Sequence, residues 1–321
     1  MKIFITGGAG FIGSHICESL YKKLPKSKLV ILDKLTYAAN INFLSKIIKD
    51  KKRVKFINCD LVNDKKYKNL IKNFDLAINV AAESHVDRSF NNSILFTKTN
   101  TLGAHTFFQT CLNSKIKKII HVSTDEVYGE KNKGSFKETD NLNPTNPYSA
   151  SKAAAEIIIN SYKFHFKSNI LIVRGNNIYG IRQFPEKLIP SCIYNLINKK
   201  KIEIHGNGKN VRCYLSVHDF TDAINLLIKR NKIGIYNIGN NNYFKNIDIA
   251  KLVCKQLNLN PKKSIKFIND RPFNDKRYSI NITKIKKLGW KPKRKLINDI
   301  KHIIEWYKNN HKIFKDKLIK L

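Results

Sequence analysis

Acidic residues are scarce in this chain: its 321 residues include 24 Asp and Glu against 60 Lys and Arg, a formal net charge of +36. Such an excess can mark a surface that neutralises nucleic-acid phosphates. However, only nine of the basic residues are arginine, and the 51 lysines are spread through every segment. Specific phosphate recognition more often uses the arginine fork, so the pattern favours a general drift toward lysine, as in an A+T-rich genome. We therefore predict no nucleic-acid partner.

Long apolar runs are also missing, and none approaches the roughly 20 residues that a membrane helix needs. The chain does not open with a charged segment followed by an apolar one, as a secretory signal would. Its first residues, MKIFI, instead predict a β-strand of the mature fold. We expect a cytoplasmic protein without a membrane partner.

Closely spaced cysteines are absent, since no two of the six cysteines lie within 20 residues of each other. Zinc sites and small disulfide frameworks both need closer spacing. The sequence therefore predicts free thiols and no metal site. Internal repeats are lacking too.

What the sequence does contain is a regular alternation of apolar runs with stretches of helical length. The runs that predict buried strands are 2–6, 29–33, 55–60, 76–82, 118–124 and 169–175, and the predicted helices include 12–23, 65–73, 91–113 and 148–166. Strand, helix, strand at this spacing is typical of an α/β fold of the Rossmann type, a doubly wound parallel sheet.

The alternation becomes irregular after residue 176, where prolines separate shorter elements. The segment Tyr236 to Gly239 predicts one more strand of the main sheet. We interpret residues 1–176 as an NAD-binding Rossmann domain to which about 213–240 return. Residues 177–212 and 241–321 then form a smaller, partly interleaved C-terminal domain for the substrate, and a cleft between domains commonly binds a small molecule.

The first strand runs directly into GGAGFIG, which places glycines at 7, 10 and 13. Such a turn lets the backbone approach a pyrophosphate at the N-terminus of the following helix. Asp33 ends the second strand 20 residues after Gly13, where a carboxylate can bind both ribose hydroxyls and repel a 2′-phosphate. NAD is favoured, although Lys34 leaves NADP open. Asp60, after the third strand, is either an adenine contact or a plain strand-end cap.

Tyr148 and Lys152 are spaced i and i+4 at the start of a predicted helix, so they share one helix face. A nearby ammonium stabilises phenolate and lowers the tyrosine pKa, which yields a base for a sugar hydroxyl. A chance pairing is the alternative, but it is less favoured behind a nucleotide-binding glycine turn.

Together the motifs GGAGFIGS, AAESHVDRS, STDEVYG, YSASKAAAE and FPEKLIP resemble the extended short-chain dehydrogenase/reductase superfamily, and within it the nucleotide-sugar 4,6-dehydratases. The likeness runs from residue 2 to about Tyr307. STDEVYG is the specific motif, because it places Asp125 and Glu126 side by side after a strand, where related epimerases usually carry hydroxyl or apolar residues.

The resemblance implies a lyase that dehydrates dTDP-glucose to dTDP-4-keto-6-deoxyglucose with NAD, for deoxysugar biosynthesis of the rhamnose type. Tyr148 would take the 4-hydroxyl proton and Thr124 would hydrogen-bond that oxygen, with Lys152 completing the catalytic set. Glu126 would remove the C5 proton and Asp125 would protonate the leaving C6 hydroxyl. Elimination needs both a base and an acid, and two adjacent carboxyl groups can take these two roles when one is ionised and the other protonated.

The same resemblance implies further contacts. Cofactor contacts would come from Gly7, Gly10, Phe11, Ile12, Gly13, Asp33, Lys34, Leu35, Thr36, Asp60, Leu61, Ala81, Ala82, Ser84, Thr99, Tyr148 and Lys152. Substrate contacts would come from Ser84, Thr124, Asn177, Lys187, Leu188, Arg212, Asn246, Arg271, Asn274 and Tyr307. Among these, Arg212 and Arg271 suit a diphosphate. Helices 91–113 and 148–166 would pair in a homodimer.

Three positions depart from the family pattern: Cys213 where Asp or Asn is usual, Asn274 where His is frequent, and Ile178 in place of an Asn. They leave UDP-glucose open beside dTDP-glucose. The competing hypotheses are a nucleotide-sugar 4-epimerase and an NAD-binding regulator without turnover.

Overall fold

The structure, a computed structural model, describes residues 1–131, 133–166, 169–270 and 277–319. Its strands are β1 Lys2–Thr6, β2 Lys28–Asp33, β3 Val54–Asn58, β4 Leu76–Asn79, β5 Ile119–Thr124, β6 Ile170–Gly175, β7 Asn177–Tyr179, β8 Ile202–His205, β9 Val211–Ser216, β10 Gly234–Ile238, β11 Tyr243–Lys245 and β12 Ile265–Ile268.

The helices are α1 Phe11–Lys23, α2 Ser45–Ile48, α3 Val86–Asn91, α4 Ser93–Phe96, α5 Gly103–Asn113, α6 Pro147–Phe166, α7 Leu188–Ile197, α8 Val217–Lys229, α9 Asn246–Gln256, α10 Pro261–Ser264, α11 Thr283–Lys286, α12 Leu296–Asn310 and α13 Lys312–Ile319. A π-helical segment, Thr97–Leu102, joins α4 to α5, and 3₁₀ turns cover Ile41–Leu44, Asp64–Lys66, Lys68–Leu70 and Asp125–Tyr128.

Seven of the strands form one parallel sheet in the order β10-β6-β5-β4-β1-β2-β3. Its strands are apolar because both faces are covered: Ile3 and Ile5 pack into one buried cluster and Phe4 into another on the opposite face. The chain order reverses between β1 and β4, and ligands of doubly wound sheets bind at such a reversal. The predicted Rossmann-type fold is confirmed, including the returning strand, which is β10.

Two predicted helices differ from the structure. Residues 65–73 form only two short 3₁₀ turns, in which the buried Tyr67 donates its hydroxyl to the Leu61 carbonyl. Residues 91–113 are interrupted at Asn92, whose side chain accepts the Leu95 N–H and so starts a new helix. Both are local hydrogen bonds between a side chain and the backbone, and the periodicity of apolar residues does not reveal them.

A second buried core lies outside the large sheet. It collects apolar side chains of α7, α9 and α12, among them Ile193, Val253 and Ile304. Two small sheets accompany it, β11-β9-β7 and β12-β8.

Among the helices of the described ranges, none has the length and apolar character that a membrane crossing needs. The six cysteines are free and buried. Across the same ranges, no group of three or more His, Cys, Asp or Glu side chains is arranged to hold a metal ion.

Candidate active site

A cavity of about 610 Å³ opens at the carboxyl ends of β1, β4, β5 and β6. Its far wall belongs to the second core, with Ile189 and Tyr214. The predicted site residues that line it are Gly7, Gly10, Phe11, Ile12, Gly13, Asp33, Lys34, Thr36, Asp60, Leu61, Ala81, Ala82, Ser84, Thr99, Thr124, Glu126, Tyr148, Lys152, Asn177, Lys187, Leu188, Arg212 and Asn246. The fold thus brings together residues that are more than 200 positions apart in the chain.

The turn after β1 leaves no room for side chains. A Cβ at Gly13 would lie 2.0 Å from the Gly7 carbonyl oxygen, so the first turn of α1 packs directly against the backbone of the loop. Free N–H groups at the start of such a helix bind phosphate. The cradle therefore fits the pyrophosphate of a dinucleotide.

Asp33 at the end of β2 is held in one orientation by the backbone. Its Oδ2 accepts the Ala9 N–H at 2.9 Å and its Oδ1 accepts the Leu35 N–H at 2.8 Å. Burial raises the pKa of Asp33, and these two donors act in the opposite direction. The Lys34 ammonium points to Asp60, with 2.6 Å between Nζ and Oδ2. Leu35 itself is outside the cavity lining and contributes through its backbone.

The loop after β4 is fixed from two sides. Asn100, in the π-helical segment, accepts the Glu83 N–H at 2.8 Å and donates to the Glu83 carbonyl at 2.9 Å and to Ser151. Lys187 donates to the Ser84 carbonyl at 2.6 Å. These bonds connect the cofactor half of the cavity to the loop that precedes α7.

Tyr148 and Lys152 both lie in the cavity wall, near the start of α6. Lys152 donates to the Val122 carbonyl of β5 at 2.7 Å, and burial lowers its pKa to about 8 while Glu156 acts to raise it. The expected lowering of the Tyr148 pKa is corrected by the structure. Burial and the nearby Glu126 carboxylate raise the pKa of Tyr148, and a hydrogen bond with Thr124 only partly opposes them.

The acidic pair follows β5 in a tight turn. Thr124 caps this turn, because its Oγ1 accepts the Glu126 N–H at 3.2 Å. Glu126 lines the cavity, whereas Asp125 lies immediately behind the cavity wall, with its Oδ1 3.4 Å from Thr124 Oγ1. The Asp125 carboxyl contacts Thr124 and Asn176, which both line the cavity together with Glu126.

Asp125 is almost completely buried, and this environment changes its titration. Burial first, and then the neighbouring Glu126 charge, raise the pKa of Asp125 to about 7. A carboxyl group with this pKa holds a proton near neutral pH and can donate it.

The substrate half of the cavity contains buried polar atoms without a hydrogen-bond partner among the described residues. Asn177 Nδ2 and Asn246 Oδ1 are buried and have no hydrogen-bond partner within the described ranges. A buried amide without a partner is costly, so both atoms suit a polar ligand. Arg212 lies over the Tyr278 ring, with 5.0 Å between its Cζ and the ring centroid.

One predicted substrate residue, Tyr307, is not brought to this wall. Tyr307 is completely buried in the second core and donates its hydroxyl to the carbonyl of Gln183, which itself lines the cavity. Its apolar ring packs among aromatic residues, a placement that motif spacing does not reveal. Arg271 and Asn274 lie outside the described residues.

The structure adds cavity residues that sequence reasoning did not single out, including Glu83, Asn176, Glu186 and Tyr278. Tyr37 donates to Glu186 at 3.0 Å and Arg88 stacks on the Tyr37 ring at 3.8 Å. Glu186 precedes Lys187 in the FPEKLIP motif, so that motif was the available signal for it.

Known proteins resemble this chain over almost its whole length. A sequence model of the family described as GDP-mannose 4,6 dehydratase matches residues 4–303. A dTDP-D-glucose 4,6-dehydratase of Dictyostelium discoideum is 42% identical, with 96% of this chain and 82% of that protein covered. A crystal structure of DesIV, a dTDP-glucose 4,6-dehydratase from Streptomyces venezuelae with NAD and TYD bound, superposes with a TM-score of 0.94 at 33% identity, covering 99% of this chain and 100% of that one.

A plant relative has a different organisation. The trifunctional UDP-glucose 4,6-dehydratase/UDP-4-keto-6-deoxy-D-glucose 3,5-epimerase/UDP-4-keto-L-rhamnose-reductase RHM2 of Arabidopsis thaliana is 40% identical over 96% of this chain. This chain spans about half of that protein, 47% of its length. The extent of these matches shows that the chain belongs to the GDP-mannose 4,6 dehydratase family, among the extended short-chain dehydrogenases/reductases that include the dTDP-glucose 4,6-dehydratases.

Proposed function

We propose that this chain is an NAD-dependent hydro-lyase that removes water from dTDP-glucose. The product, dTDP-4-keto-6-deoxyglucose, is a precursor for deoxysugar biosynthesis. The observation that carries the proposal is the buried Asp125 and Glu126 pair beside Tyr148. Its dTDP-D-glucose 4,6-dehydratase relatives at 42% and 38% identity support the same substrate.

The chain's own residues supply the proton transfers. Tyr148 takes the proton of the sugar 4-hydroxyl, and Thr124 hydrogen-bonds that oxygen. NAD bound along the glycine turn would accept the hydride from C4, return it to C6 and add positive charge beside Tyr148. Once C4 is a ketone, the C5 proton is acidic, and Glu126 removes it and returns it to C5 when the hydride reaches C6. Asp125 protonates the C6 hydroxyl, which leaves as water.

The pKa of Asp125 sets a limit on pH. A pKa of about 7 means that the donating form is abundant below neutrality and is lost as the pH rises through that value. Water elimination therefore declines on the alkaline side even when C4 oxidation continues.

Asp33 and Lys34 support NAD over NADP. A 2′-phosphate at the ribose would meet the Asp33 carboxylate, which is fixed by two backbone N–H groups. Lys34 forms its short contact with Asp60 instead, which does not favour a phosphate at this position.

UDP-glucose is the second candidate substrate, because the plant UDP-glucose 4,6-dehydratase relative is 40% identical. The test is incubation with dTDP-glucose and UDP-glucose separately, each with NAD or NADP added to cofactor-stripped enzyme. We expect dTDP-glucose with NAD to lose one water, detected by mass and NMR. An unchanged mass with inverted C4 would indicate an epimerase instead, and no conversion of either sugar would favour a binding protein without turnover.

The domain roles belong to the same proposal. Residues 1–176, with about 213–240, bind NAD, and residues 177–212 with 241–321 bind the nucleotide sugar. The two buried cores support this division for α7, α9 and α12, whereas Ile280, Ile285 and Trp290 pack in the core of the large sheet. The proposed location is the cytoplasm, supported by six cysteines that remain free thiols.

A homodimer is proposed from the apolar side chains that α3 to α6 leave exposed. Ile94 is 77% exposed and Ile157 62%, and Phe90 and Leu102 are each 51% exposed. Large apolar side chains concentrated on neighbouring helices are typical of an interface. A two-fold pairing of these helices would bury them as a four-helix contact.

Ile94→Asp combined with Ile157→Asp is expected to produce monomers, because charges buried at a two-fold contact repel each other and lack partners. We expect the dimer to weaken about a hundredfold or more. Light scattering measures this against the 37.1 kDa chain mass. Ile297→Asp is the control, since Ile297 is 55% exposed on α12. A wild-type protein that is monomeric at micromolar concentration would contradict the dimer.

A further inference from the structure

Asn176, between β6 and β7, connects Asp125 to the end of β10. Its Nδ2 donates to Asp125 Oδ2 at 2.7 Å, and its Oδ1 accepts the Asn240 backbone N–H at 3.1 Å. All three side chains are buried. The bonds therefore join three parts of the chain, from positions 125, 176 and 240, in a water-poor environment.

The orientation of this amide follows from its neighbours. A side-chain amide can be turned over so that nitrogen and oxygen exchange places, but a backbone N–H can only donate. The group that faces Asn240 N must therefore be the oxygen, which leaves the NH₂ facing Asp125. A Cβ at Gly239 would lie 1.9 Å from Asn176 Oδ1, so a residue without a side chain is needed there for the amide to fit.

The fixed amide determines where Asp125 carries its proton. Oδ2 accepts a hydrogen bond from an NH₂ group that can only donate, and a carbonyl oxygen is a better acceptor than a hydroxyl oxygen, so this bond favours Oδ2 as the C=O oxygen and Oδ1 as the protonated one. We infer that Asn176 is a positioning residue that confines the acidic proton of Asp125 to Oδ1, the oxygen on the side of Thr124. The proton donor of the elimination thus has one predetermined oxygen and one direction.

Cys213 completes the support of this arrangement. Its Sγ lies 2.7 Å from the Asn240 carbonyl oxygen and 2.9 Å from Asn240 Oδ1, so its single S–H donates to one or the other of these oxygens. The Asn242 N–H also donates to Asn240 Oδ1 at 2.7 Å, and the Asn240 amide donates to the Tyr214 carbonyl. The cysteine that departs from the family pattern therefore holds the loop that orients Asn176.

Other charged or titratable groups also face Asp125. Glu126 follows it in the chain and raises its pKa, Arg212 of β9 acts in the opposite direction, and Tyr148 and Cys213 interact with it electrostatically. Donation by Asn176 favours the ionised carboxylate. Removal of the donor should therefore raise the pKa of Asp125 while it releases the proton from its fixed oxygen.

The catalytic consequence rests on the proposed function, but the proton position can be measured without a substrate. Infrared difference spectra against Asp125→Asn isolate the C=O stretch of protonated Asp125. In N176A we expect this band to move to higher frequency and its titration to higher pH, because the Oδ2 carbonyl has lost its donor. A band with unchanged frequency in N176A would overturn the inference, even if no sugar nucleotide is converted.

Single-turnover reactions with dTDP-glucose provide the second test. We expect N176A to slow water elimination about tenfold or more and to leave C4 oxidation nearly unchanged. This loss is a part of the rate acceleration that a positioned general acid provides. The product mixture, read by mass, should then shift toward the 4-ketoglucose nucleotide. Asn237→Ala is the matched control, because Asn237 is a buried amide of β10 that bonds the Phe136 and Asn281 carbonyls. An unchanged product mixture in a folded N176A would contradict the inference.

N176D keeps the shape of the side chain should N176A fail to fold. One carboxyl oxygen can still accept the Asn240 N–H, but the other must hold a proton in order to donate to Asp125. Elimination should therefore persist at acid pH and be lost at lower pH than in wild type. A pH profile identical to wild type would oppose a role for Asn176. If wild type converts neither sugar nucleotide, the proposed function fails, and the infrared result still decides the position of the proton.

Discussion

Asp125→Asn combined with Glu126→Gln is expected to stop the reaction after the first step, with the 4-ketoglucose nucleotide formed and no water lost. Both substitutions preserve shape, and Tyr148, Thr124 and Lys152 remain in place for C4 oxidation. Each lost proton-transfer group should slow elimination by about 10² to 10⁴. Mass spectrometry of a single turnover distinguishes the keto sugar from the dehydrated product.

Tyr148→Phe is the control for this experiment, because it removes the base for the 4-hydroxyl and should prevent both steps. The two variants therefore divide the site into an oxidation part on α6 and an elimination part after β5. Wild-type rates of water loss in the double variant would refute the assignment of Asp125 and Glu126, although the fold and the cofactor site would be unaffected.

Gly13→Ala is expected to abolish dinucleotide binding. The new Cβ would lie 2.0 Å from the Gly7 oxygen and 2.9 Å from the Gly8 Cα, and these backbone atoms cannot move aside without opening the turn. A cost of about 3 kcal/mol, a hundredfold in affinity, is the least that we expect. Calorimetric titration of cofactor-stripped enzyme with NAD measures it.

Gly103→Ala is the matched control, since Gly103 is helical and the nearest atom to a new Cβ, in Leu61, is 3.5 Å away. Alanine there should stabilise the helix by roughly 0.5 to 1 kcal/mol and leave NAD affinity unchanged. Equal NAD affinity in both variants would show that the close packing at Gly13 does not shape the binding turn.

Most of the large sheet was predictable because its strands are buried on both faces, and such strands read as short apolar runs. The predicted runs 2–6 and 76–82 correspond to β1 and β4, with ends within three residues of the observed ones. The helix predictions at 65–73 and 91–113 were less accurate. Local side-chain bonds at Tyr67 and Asn92 decide those segments, and they compete with the regular helix.

The candidate site was predictable where the spacing of residues within a motif determines how their side chains are arranged. The glycine turn, Asp33 and the Tyr148, Lys152 pair occur at fixed spacings along the chain, and they line one cavity. Tyr307 shows the limit of this reasoning. Its position near the end of the likeness suggested a substrate contact, but the side chain packs in the second core and reaches the cavity only through the Gln183 carbonyl.

The sequence by itself determined the parallel sheet, the dinucleotide turn and the adjacent acids, because each depends on residues that are close in the chain. Only the tertiary structure decided the electrostatics. It buried Tyr148 near Glu126, which raises the pKa of Tyr148, and it brought Asn176 and Asn240 to Asp125 from strands far apart in sequence. Burial and hydrogen-bond direction are properties of the packed protein, because they depend on which distant groups exclude water and which way each donor points.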